Sequence, residues 1–147
     1  MFDGDAESPA DTVQLVTSGI SELDELLNGG YVRGRTYLVQ GGSGTGKSLL
    51  GQHFLRAGID AGETVVYSHG EESRHDILVN AALLDIDIRD AEFLDIGPGT
   101  DFFAKDKSYN LIEATEVQSE RFTADIKQVI EEVDPARILI DPITQLQ

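Results

Sequence analysis

Gly41-Gly42-Ser43-Gly44-Thr45-Gly46-Lys47-Ser48 is the segment of this chain whose residue types and spacing bear most directly on chemistry. It satisfies the phosphate-loop pattern G-x-x-x-x-G-K-[ST] at every constrained position. Glycines let the backbone curl around a polyphosphate so that several N–H groups converge on one anion. A helix starting at the loop's end adds the positive end of its dipole. Lys47 then offers a mobile cation to the β- and γ-phosphates, and Ser48 a hydroxyl to Mg²⁺.

Three carboxylates complete the candidate set. Asp141 ends the apolar run Ile138-Leu139-Ile140 about ninety residues after Lys47, where a second magnesium-holding oxygen is expected in a phosphate-loop ATPase. A carboxylate that only caps the strand end is the alternative reading. Glu71 and Glu72 follow another apolar run, and an acid there has the position of a general base acting on water near a γ-phosphate. The competing reading leaves both as solvated loop charges. His69 and His75 flank them at a spacing that matches no common zinc pattern. His53 and Tyr67 read as packing residues, and Phe102-Phe103 as either a buried anchor or an exposed contact.

These groups need a scaffold, and the flanking residues supply one. Arg35-Thr36-Tyr37-Leu38-Val39-Gln40 reads as a buried strand leading into the loop. Leu49, Leu50, His53, Phe54 and Ala57 recur at helical spacing after it, to about Ala61, with Gly62 as terminator. Ser21 is placed to cap an earlier short helix that Asn28-Gly29-Gly30 stops. Strands are expected at Thr64–Ser68, Glu92–Ile96 and Ile138–Ile140, with helices over about Ser73–Leu84 and through Phe122, Ile126, Val129, Ile130 and Val133. A loop rich in Gly, Pro and Asp occupies about Gly97 to Asn110. Strands alternating with helices imply an α/β fold with a mainly parallel sheet, whose ligands sit beyond the carboxyl ends of the strands.

Composition sets the outer bounds. The 147 residues suit one domain, 13–147, behind an acidic tail, 1–12, that is expected to be disordered. There is no cysteine, which excludes disulfides, thiolate metal sites and cysteine nucleophiles. The net charge of −16, from 27 acidic against 11 basic residues, argues against nucleic-acid partners. It suits a halophilic cytoplasm, where excess carboxylate keeps proteins hydrated, with an acidic functional surface as the alternative. No apolar run reaches membrane-spanning length, and no [NT]-K-x-D guanine-reading motif occurs.

Beyond the loop, Gly19-Ile20-Ser21-Glu22-Leu23-Asp24-Glu25-Leu26-Leu27-Asn28-Gly29-Gly30 and Gly34 resemble the opening of KaiC-like and RadA-like ATPases of the RecA superfamily. Val65-Val66-Tyr67 leading to Glu71-Glu72-Ser73 is similar to the strand and acidic pair of KaiC-like proteins, and Ile138-Leu139-Ile140-Asp141 to their Walker B strand. The resemblance spans Val16 to Leu146. It implies a RecA-type P-loop NTPase core that binds ATP with Mg²⁺ and hydrolyses it, commonly between the subunits of a homo-oligomeric ring or filament. By position it assigns phosphate contact to Lys47, metal to Ser48 and Asp141, and water activation to Glu71 with Glu72 assisting. Two departures stand out: Gly70 replaces a larger apolar residue, and the sequence stops at Gln147, so the core's C-terminal strands are expected to be missing. The alternatives are a nucleotide-binding module that acts through a protein partner without turnover, and a RadA-like accessory of DNA recombination.

Overall fold

A computed structural model of the chain describes residues 8–97 and 111–143. Pro9–Thr12 form a short 3-10 turn, followed by β1 (Leu15–Val16), α1 (Ser21–Leu26) and β2 (Tyr31–Val32). Then come α2 (Lys47–Asp60), β3 (Val65–His69), α3 (Arg74–Ala82), β4 (Glu92–Asp95), α4 (Leu111–Val133) and β5 (Arg137–Asp141). The Gly/Pro/Asp-rich loop and Phe102-Phe103 lie outside the described residues.

The main sheet is parallel, in the order β4-β3-β5. Tyr67 pairs with Phe93 on one side and with Leu139 on the other, and His69 with Asp95 and Asp141. All five residues of the central strand β3 are buried, as both faces of a parallel sheet require. One face carries Val65 and Tyr67 into a core with Leu55 from α2, Ile77 and Ala81 from α3, and Ile86 and Ile88 from the connection to β4. In α4 the half-buried residues Phe122, Ile126, Val129 and Val133 recur at helical spacing.

Asn28, Gly29 and Gly30 all have positive φ and end α1, and Gly62, at φ 74°, follows α2. Ser21 does not cap α1: Ile20 is the cap residue and makes no side-chain cap bond. The Asp24 carboxylate instead accepts from the Ser18 N–H at 2.8 Å and from the Thr17 hydroxyl, fixing the entry to the helix from inside it. Leu15–Val16 and Tyr31–Val32, which carry no strong strand signature, form a small antiparallel pair.

Residues 35–40 depart most from expectation. They form no ladder among the described residues, and Tyr37, Leu38 and Val39 are 46%, 64% and 45% exposed. A strand needs a neighbour to take its N–H and C=O groups, and none of the described strands pairs with this segment. Its anchor is aromatic: the Tyr37 hydroxyl accepts from the Val32 N–H at 2.9 Å, and its ring lies 4.5 Å from that of Tyr31.

Two glycines seat α2 on the sheet. A β-carbon at Gly58 would lie 2.7 Å from both Val65 Cγ1 and Arg137 Cδ, and one at Gly51 would strike the Leu139 methyls. Val65 is rotamerically stiff and Arg137 is clamped by hydrogen bonds, so neither yields easily. Gly58→Ala is therefore expected to lower the unfolding free energy by about 1–3 kcal/mol, despite a gain in helix propensity of about 1 kcal/mol. Urea denaturation of the two proteins checks this.

Candidate phosphate-loop site

The two glycine contacts fix the direction of α2. Gly58, near its end, meets Arg137 at the start of β5, whereas Gly51 meets Leu139 further along that strand. The helix thus runs antiparallel to β5, and its first turn, Lys47 and Ser48, lies toward the strand end that carries Asp141. Ser48 shares a helix face with Gln52, one turn on. Gln52 is buried, and its side chain reaches the Tyr67 phenol, whose hydroxyl donates to Asp141 Oδ2 at 3.1 Å. Burial, and then the Asp141 carboxylate, push the Tyr67 phenol well above its ordinary range, so it remains a donor.

The loop itself is exposed from Gly41 to Gly46. Gly44 and Gly46 have φ of 75° and 92°, a region other residues enter only under strain, although the space beside both is open. Backbone shape, rather than crowding, requires glycine there. At Gly41 a β-carbon would approach Thr45 Oγ1 to 2.7 Å, filling the concavity of the loop. Thr45 Oγ1 donates to the Gly42 carbonyl at 2.7 Å, and Lys47 Nζ to the carbonyls of Gly41 and Gly42 at 2.7 and 2.8 Å. The ammonium is thus held at the loop by neutral acceptors.

Glu71 and Glu72 lie in the bend after β3 and are exposed. The bend is pinned at both ends. His69 Nδ1 bonds the Glu72 carbonyl at 2.9 Å, and Ser73 caps α3 by accepting from the Asp76 N–H at 3.1 Å. His69 faces Asp141 in the ladder, so the acidic pair begins two residues beyond the position opposite that aspartate. The phosphate loop, Asp141 and the acidic pair therefore share the carboxyl edge of one sheet. His75 is exposed on α3 and His53 half-buried on α2, and no metal-holding group of three or more His, Asp or Glu occurs among the described residues.

Residues Ser48 and Asp141 suit magnesium, which takes one or two protein oxygens and leaves the rest of its shell to phosphate and water. The glycine concavity and the lysine suit the phosphates. Tyr67, which reads as a packing residue, is both packed and hydrogen-bonded, and Gln52 carries no signal of its own in the sequence. The signal for the first was available, since a tyrosine hydroxyl inside an apolar strand must find a partner.

A glycine loop at the carboxyl edge of a parallel sheet, opening a helix packed back on that sheet, defines the P-loop class of α/β domain. A family model for the KaiC ATPase matches residues 16–147, and the chain belongs to that family. It is 32% identical to a UPF0273 protein of Pyrococcus furiosus over 141 residues, covering 91% of this chain and 56% of that protein. It is 30% identical to the circadian clock protein KaiC3 of Synechocystis over 138 residues, covering 90% of this chain and 24% of that protein. The crystal structure of a KaiC-like protein from Pyrococcus horikoshii superposes with a TM-score of 0.71 at 27% identity, over 91% of this chain and 56% of that one. The chain thus spans about half the length of the UPF0273 protein and of that structural relative. No helix among the described residues is long and apolar enough to cross a membrane.

Proposed function

We propose that the chain binds ATP with Mg²⁺ at Gly41–Ser48 and hydrolyses it with Glu71 as general base. The observation that carries this reading is the seating of the phosphate loop, through Gly51 and Gly58, over the strand end that bears Asp141. The loop N–H groups and the N-terminus of α2 hold the phosphates, and Lys47 exchanges its loop carbonyls for phosphate oxygens. Ser48 and Asp141 would hold the metal, which neutralises phosphate charge when bound. Glu71 takes the proton of a water whose oxygen bonds the γ-phosphorus. The bond from that phosphorus to the β–γ bridging oxygen breaks, giving ADP and inorganic phosphate. Glu72, its carbonyl tied to His69, keeps the bend in place. A regulatory role and assembly with further copies of the chain belong to the same reading, supported by membership in the KaiC family.

Calorimetry with MgATP tests the binding step. The wild-type chain is expected to bind, and Lys47→Ala to lose about 10- to 150-fold in affinity, the worth of a charge-assisted hydrogen bond. Equal heats from the two proteins would end the reading.

A further inference from the structure

We infer that Tyr67, backed by Gln52, is a positioning residue that sets the orientation of the Asp141 carboxylate toward the metal of the bound nucleotide. The inference rests on the nucleotide site proposed above.

Asp141 stands at the last position of β5 and is half-buried. Two side-chain torsions separate its carboxylate from the backbone, so strand geometry alone does not aim it. The Tyr67 hydroxyl does, by holding Oδ2 at 3.1 Å and leaving Oδ1 outside that bond. The phenol in turn has no freedom of its own. Its ring is 1% exposed, stacked on Phe93 at 5.6 Å with 25° between planes, and packed in the core with Leu55 and Ile77. Gln52 approaches the phenol oxygen from α2, on the helix face it shares with Ser48. The phenol that holds Asp141 is thus met from α2, the helix that carries Ser48 in its first turn. Phenylalanine would fill the same core volume, so packing does not account for the hydroxyl. Partners outside the metal's own shell that orient its ligands are a recurrent device, and losing one weakens metal affinity by about 10- to 100-fold.

The test uses the full chain and Mn²⁺ as probe, its free concentration read by electron paramagnetic resonance in the presence of saturating ATP. Tyr67→Phe is expected to bind ATP in EDTA as the wild type does, while its nucleotide complex holds Mn²⁺ about tenfold more weakly. Gln52→Leu, which leaves Asp141 untouched, is expected to give a smaller loss in the same direction, and it decides the matter if Tyr67→Phe does not fold. Mn²⁺ affinity unchanged or raised in the variants would overturn the inference and show the hydroxyl only satisfying itself on a carboxylate. A wild-type chain that binds no ATP at all would overturn the nucleotide site and this inference together, a result distinguishable from the first.

Discussion

Arg137→Met is expected to destabilise the fold by about 3–5 kcal/mol, the cost of breaking a buried ion pair from one side. Arg137 is 4% exposed at the first position of β5, beneath α2. Its guanidinium donates to the Thr17 carbonyl at 2.7 Å, the Phe54 carbonyl at 3.0 Å and Glu63 Oε1 at 3.1 and 3.3 Å, and it lies 4.8 Å from the centre of the Phe54 ring. Four separate parts of the chain are thus fastened by one side chain: the segment after β1, α2, the approach to β3, and β5. Methionine fills similar volume but removes the guanidinium's bonds to the Thr17 and Phe54 carbonyls. It also leaves Glu63, among the described residues, with the exposed Arg33 at 3.5 Å as its remaining cation. Against a total stability of about 5–15 kcal/mol this is a large fraction. Urea denaturation measures it. Arg137→Met combined with Glu63→Gln should recover part of the loss, because the stranded charge is then removed; a double variant no better than the single would contradict this account.

Glu71→Gln is expected to slow single-turnover ATP hydrolysis by about 10²- to 10⁴-fold, the usual contribution of a positioned general base. ATP affinity should stay nearly constant, because the amide keeps the shape of the carboxylate and Glu71 lies outside the phosphate loop. The side chain is exposed in a bend anchored by His69 and Ser73, so its replacement should leave unfolding unchanged. Binding without turnover in both proteins would favour the nucleotide-binding module over the enzyme. Turnover that survives the substitution would move the base elsewhere, with Glu72 the adjacent acid to replace next.

The sequence made the strand–helix alternation legible because apolar periodicity directly reports which face of an element is buried. Strands β3, β4 and β5 fall within a residue or so of the expected runs and α2 and α3 within two, while on α4 Phe122, Ile126, Val129 and Val133 are half-buried and Ile130, expected with them, is exposed. The glycine loop was legible for a different reason: its residue types are dictated by backbone shape. Residues 35–40 illustrate the limit. Their β-branched and aromatic composition measures local preference, whereas a strand exists only with a partner to complete its hydrogen bonds. Arg137 shows the opposite failure. A basic residue beside an apolar run reads as the strand's solvated end, and only the positions of Thr17, Phe54 and Glu63 reveal why it is buried. Tyr67 and Gln52 were hidden similarly, since what binds them together is a meeting of α2, β3 and β5 that no single stretch of sequence contains.

The ladder missing from residues 35–40 bears on how the glycine loop is moored. On its exit side the backbone passes into a helix seated on the sheet at two glycines, one against the Leu139 methyls and one against Val65 and Arg137. On its entry side the tether is a tyrosine leaning on a neighbouring ring, with no rung of sheet beneath. Among the described residues the loop is therefore moored mainly from its downstream side, and Lys47 carries that mooring back to the Gly41 and Gly42 carbonyls.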